Sequence, residues 1–202
     1  MTTPIDIFIV TRGHFLIFLI AVFAVVFAFQ LLFGFKKIKS IKVFKIFYCA
    51  SAAFPFLYYV YLTYAQYVEW KGENGVAKYL VPPYTGAGYV VKYHFIGFYM
   101  YYLISLMISL IFLFAAIKLN EKFGERFFEK EEPYLGALAI NLTGTPGFVV
   151  YLAVLLVGQL LSTLTIWIIA RKNERVPFYY LWLPAGVFAI LIMYMSHLFY
   201  FN

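Results

Sequence analysis

From Phe15 to Phe35 the chain runs for twenty-one residues without a charged side chain. A helix of that length crosses the roughly 30 Å hydrocarbon layer of a bilayer. Lys36, Lys37, Lys39, Lys42 and Lys45 follow at once, with no acidic residue among them. An apolar run closed by lysines reads as a membrane span whose second end lies in the cytoplasm, because cytoplasmic loops carry an excess of basic residues. The same five lysines are candidate contacts for anionic lipid headgroups.

Composition supports the membrane class. The chain is 64% hydrophobic and 12% charged, whereas soluble domains carry about 45–50% apolar and about 25% charged residues. The excess has to face lipid, and a backbone in lipid must satisfy its own hydrogen bonds. The expected fold is therefore an all-α integral membrane protein, one helical domain over residues 1–202. The expected partners are the bilayer and other membrane subunits, not nucleic acid. The single cysteine, Cys49, excludes an intramolecular disulfide and a cysteine metal cluster. Met1–Val10 has no basic lead-in and no small-residue cleavage site follows the first span, so that span is read as retained.

About five spans emerge, at 15–35, 46–67, 95–117, 148–170 and 178–200. Pro55 and Pro184 predict kinks in the second and fifth. Ser105 and Ser109, one helical turn apart, predict a helix–helix contact face on the third. Gly158, Gln159, Ser162 and Thr163 make the fourth span the most polar, and so predict its burial in a bundle or against a partner. Thr145 and Pro146 read as its N-cap and first-turn proline. In the loop Glu69–Lys92, the pieces Ala77–Val81 and Gly88–Lys92 could pair as a hairpin.

The segment 118–142 is expected to be cytoplasmic and interfacial. Phe123, Phe127 and Phe128 alternate there with charged residues, as in an amphipathic helix lying on a membrane surface. Its last piece, Tyr134–Leu142, is too short to span and reads as interfacial or partly re-entrant. Five spans put the N-terminus outside and the C-terminus in the cytoplasm of a multi-pass cell-membrane protein. Nine basic residues then fall inside and seven outside. Arg171, Lys172 and Arg175 lie on the wrong face, and a crossing by Tyr134–Leu142 would invert that end.

Residues with chemistry to offer are few. Asp6 is the only aspartate, and no phosphate loop, two-histidine metal motif or nucleophile elbow is present. His14 and His94 fall at the same outer depth on two spans, a pattern that could ligate one b-type haem. Tyr58, Tyr61 and Tyr64 recur every three residues, as an aromatic belt or as the wall of a quinone or haem pocket. His197 lies near the opposite face from His14 and His94.

Two resemblances bear on catalysis. Glu132–Leu183, a polar lead-in, a small-residue helix at Leu135–Leu142, a long apolar span and a proline-led last span, resembles the second half of prepilin peptidases. The aspartates that do that family's chemistry are missing, so the activity is not implied. Glu131 and Glu132 resemble the paired glutamates of CAAX-type membrane proteases, but Gly136 stands where an arginine would be expected. The reading that follows is a non-catalytic integral-membrane subunit of a larger complex, respiratory or energy-transducing. The alternatives are an electron-transfer subunit binding haem b or quinone, and a small-molecule transporter or channel lined by Pro55, Pro184 and Gln159.

Overall fold

The computed structural model describes residues 4–36, 41–72, 75–124, 127–170 and 178–200, the side chains at 4–14, 34–36, 169–170 and 197–200 excepted. No strand occurs among the described residues. The helices are α1 (Pro4–Lys36), α2 (Ile41–Gly72), α3 (Gly88–His94), α4 (Met100–Lys122), α5 (Glu132–Thr143), α6 (Gly147–Ala170) and α7 (Trp182–Tyr200). A π-helical stretch, Phe95–Tyr99, joins α3 to α4 into one continuous rod. Five of the helical stretches are long and apolar enough to cross a membrane: 15–33 within α1, α2, the α3–α4 rod, 147–168 within α6, and 178–196.

Side-chain pairs fix the direction of each helix. Phe18 stacks on Phe54 and Phe33 meets Phe44, so α1 and α2 are antiparallel. Tyr48 is hydrogen-bonded to Ser109 at 3.0 Å while Tyr59 stacks on Tyr99, so α2 and α4 are antiparallel too. Along α1 and α7, Phe23 lies against Gly186 and Gln30 donates to the carbonyl of Tyr179. Gly147, at the start of α6, sits beside Met193 near the far end of α7. Helices α1, α4 and α6 therefore run one way, and α2, α5 and α7 the other.

The short helix α5 makes this alternation complete. It lies antiparallel to α4: Ser105 donates to the carbonyl of Ile140, and Gly136 packs on Phe112. Every residue from Leu135 to Leu142 is buried. At twelve residues it rises about 18 Å, short of a bilayer. This piece, expected to be interfacial or partly re-entrant, is buried among the long helices. It carries the chain from the end that bears Lys42 and Lys122, here the lysine end, toward the end that bears the Gly72–Gly88 loop. With α5 antiparallel to α4, and α7 antiparallel to α1 and α6, the first residue of α1 and the last of α7 fall at the same end of the bundle.

Other expectations change for local reasons. The amphipathic helix after the third span stops at Lys122, where Gly124 takes a positive φ of 64°, the left-handed close that favours glycine. The Asn120 side chain accepts from the amides of Phe127 and Phe128 and donates to the Phe128 carbonyl, which ties 127–128 back to the end of α4. Val76–Leu80 is a 3-10 turn and Gly88–His94 is α-helical, so no hairpin forms. Pro184 lies in the first turn of α7, where its missing amide has no helical partner to lose. Pro55 is inside α2, which continues through it.

Candidate functional site

Both ends of α5 carry groups that are unusual in a membrane bundle. At the lysine end, Glu131 and Glu132 are buried, with relative exposures of 4% and 2%. They occupy the N-cap and first position of α5, where the helix dipole favours negative charge. The Glu132 carboxylate accepts the Glu129 amide at 3.1 Å. Glu131 keeps one buried oxygen without a hydrogen-bond partner. A Cβ at Gly136 would come within 2.7 Å of Phe112 and 2.8 Å of Trp182. No arginine fits there, so the structure gives a physical reason for the break in the glutamate–arginine pattern. Among the described residues no group of three His, Cys, Asp or Glu could hold a metal ion.

The other end of α5 opens into a cavity of about 240 Å³. Its floor is the turn Thr143–Gly147, and its walls come from α1, α4 and α7. Thr143 donates back to the carbonyls of Ala139 and Ile140, both at 3.0 Å. The Thr145 hydroxyl is buried and has no hydrogen-bond partner. It does not cap α6, which begins two residues later at Gly147. Around it stand Phe15, Tyr102, Met193 and Tyr194.

A second cavity, of about 350 Å³, lies between α1 and α2, lined by Phe18, Val25, Phe47, Ala50 and Phe54 among others, with Leu142 of α5 behind it. Its mouth is formed by exposed residues, Phe18, Ala21, Val25 and Ala50. Phe15 of the first lining stacks on Phe54 of the second at 5.7 Å, and Phe54 stacks on Phe18 at 3.8 Å.

The sequence-derived site residues distribute unevenly over this frame. Tyr58 is half-buried and packs on Phe15 and Phe98. The Tyr61 ring lies 5.9 Å from that of Tyr58, and Tyr61 and Tyr64 are 57% and 67% exposed. His94 is buried with its Nε2 unpartnered, and it lines neither cavity. The side chain of His14, its suggested haem partner, and that of His197 lie outside the described residues, as do Lys37, Lys39, the Lys36 side chain and Arg171–Arg175. Lys42 and Lys45 are exposed, with Lys45 over the Tyr134 ring at 5.4 Å. Ser105 and Ser109 are buried and join α4 to its neighbours, as their spacing predicts.

The fourth span differs from its expectation within the chain itself. α6 is the most exposed of the five long helices, with 11% of its apolar window buried against 39% for the last span. Its hydroxyls are satisfied on the helix: Ser162 donates to Gly158, Thr163 to Gln159 and Thr165 to Leu161, all at 2.8 Å. A serine or threonine that bonds back to the preceding turn needs no second helix. Gly158 meets nothing within 4 Å. The cavity residues Thr145 and Tyr102 were not singled out for a ligand in the sequence, because neither belongs to a spacing pattern; only the tertiary fold brings them together. Comparison with protein-family models, curated proteins and solved structures finds no match for the chain.

Proposed function

We propose that the chain is a non-catalytic, multi-pass subunit of a larger assembly in the cell membrane, with α6 as the helix that meets a partner. The observation that carries this reading is the open small-residue face of α6. A glycine in a helix interior is less favourable than alanine by about 1 kcal/mol unless its bareness is used. In membranes such positions let a second helix approach closely. Gly158, with Ser162 one turn on, is left uncovered by this chain. Gly158→Leu fills only that open space, so it should leave the isolated fold intact and dissociate the assembly. Native mass measurement of the complex purified from membranes is the test. An unchanged mass in the variant would sink the reading.

The direction of the helices supports a membrane topology as well. With α5 as a sixth crossing, Lys36, Lys37, Lys39, Lys42, Lys45, Lys118, Lys122, Arg126, Lys130, Arg171, Lys172 and Arg175 belong to the lysine end. Arg12, Lys71, Lys78 and Lys92 belong to the other. Twelve against four is a much stronger cytoplasmic bias than the nine against seven of five spans. The reading is that the lysine end is cytoplasmic and both termini are outside. Cysteines introduced as Ser40→Cys and Asn173→Cys, each on a Cys49→Ala background, should be labelled from the cytoplasmic side alone. Labelling of the two from opposite sides would remove α5 as a crossing.

A further inference from the structure

Phenyl rings hold α1 and α2 apart at both ends of the cleft between them. At one end Phe18 stacks on Phe54 at 3.8 Å. Toward the lysine end Phe29 meets Phe47 at 5.3 Å, and Phe33 meets Phe44 at 6.0 Å. Between these struts the side walls are small, Ala21 and Ala50, and the back is Val22, Val26 and Leu142. What remains is a slot of about 350 Å³, open on the exposed side of the bundle. We infer that the slot holds one hydrocarbon chain of a bilayer lipid, taken in from the side, with the head of that lipid left outside. This goes with the membrane reading given above and is independent of the assembly face on α6.

The lining decides against water and against a headgroup. Ser51 is its one polar side chain, and that hydroxyl is already used. It donates to the Tyr48 carbonyl at 2.7 Å, and Asn141 reaches it from α5 at 3.4 Å. A buried water needs about two to four polar partners, and an apolar cavity without them stays dry and takes apolar guests. The lining holds no charged residue, so a phosphate or ammonium would lose its hydration there and gain no counter-charge. Depth points the same way. The lining residues of α1 and α2 fall inside the charge-free runs 15–35 and 46–67, the length of helix that lies in hydrocarbon. Shape separates a lipid chain from a neighbouring helix. Phe18 and Phe29 are exposed on α1 toward the two ends of the slot. They hold a straight rod about 10–12 Å wide away from it, whereas a flexible chain bends in between them. From Phe18 to Val26 the slot runs about 12 Å along α1, room for part of one chain.

The test uses the full chain in phosphatidylcholine nanodiscs doped with a phosphatidylcholine that carries a diazirine midway along one acyl chain. After irradiation, adducts are mapped by mass spectrometry. Adducts on 18–26 and 47–54 should be at least fivefold more frequent than on Leu156, Leu160 and Leu164 of α6, which are exposed without a slot. Ala50→Phe and Ala21→Phe fill the slot from opposite walls at exposed positions. Each should lower the slot adducts at least fivefold, leave those on α6 unchanged, and unfold thermally where the parent does. Gly158→Leu, which probes the assembly face, should leave the slot adducts as they are. Phosphatidylglycerol with the same labelled chain should give slot adducts within twofold of phosphatidylcholine. The inference is overturned by slot adducts no more frequent than those on α6, by parental yield in a filled variant, or by a more than twofold preference for either head. Loss of the slot adducts when the chain is kept in its native assembly would also overturn it, and would give the slot to a partner helix.

Discussion

Helices α5 and α6 are separated by Gly144–Pro146 alone, and their fates in the bundle are reversed. α5 has twelve residues, includes Glu132 and Asn141, and is enclosed on all sides. α6 has twenty-four, carries no charge, and is the most exposed of the long helices. In a water-soluble protein the longer, more apolar helix would be the buried one, because burial would remove its surface from water. Here lipid is as apolar as leucine, so α6 gains little by moving inward. What draws α5 in is close packing and hydrogen bonding. Gly136, Ala137 and Ala139 bring its backbone near its neighbours. Asn141 donates to the Ser51 carbonyl at 2.9 Å, and Ser105 to Ile140 at 3.2 Å.

This contrast can be broken most severely at Gly136. The Cβ of any replacement would meet the Phe112 and Trp182 rings, which are themselves packed on Phe128. Gly136→Leu should lower stability by about 3 kcal/mol, at the upper end of overpacking costs. Reversible denaturation in mixed micelles measures it, and a loss below about 1 kcal/mol would mean that α5 is not gripped as described. A smaller effect separates the two helices directly. Asn141→Leu should cost about 1 kcal/mol, within the range of membrane side-chain hydrogen bonds. Leu156→Ala, on a side chain 64% exposed, should stay within about 0.5 kcal/mol, as surface substitutions do. Reversal of that order would show that the polar contacts of α5 contribute less than the apolar face of α6.

Much of the frame was legible in the sequence, and the reason is length. Five apolar runs of twenty residues or so leave few alternatives to helices that could cross a bilayer. The spacing of Ser105 and Ser109 also announced their contact, because four residues is one turn whatever surrounds it. α5 was not legible for the converse reason. Twelve residues with Glu132 at the start and Asn141 near the end carry no signature of burial, since what buries them is supplied by α2, α4, α6 and α7. Gly136 read as a departure from a motif, and only the positions of Phe112 and Trp182 explain it. α6 misled through its hydroxyls: Ser162 and Thr163 look sequestered until their own helix is seen to accept their protons. The paired cavities are the extreme case, since Phe15, Tyr102, Thr145 and Tyr194 are spread over most of the chain.

The shortness of α5 also bears on how such a chain is made. A segment emerging from the ribosome is committed to lipid largely on its own apolar length, and α5 on its own falls well short. α6 would be recognised first, with Lys118–Lys130 behind it and Arg171–Arg175 ahead of it. On the proposed topology both basic clusters end on one face, which requires the intervening stretch to enter as a helical pair, α5 drawn in by α6 and seated against α4 already in place. Orientation of the last third of the protein would then be decided late, by tertiary assembly, and not one helix at a time during translation.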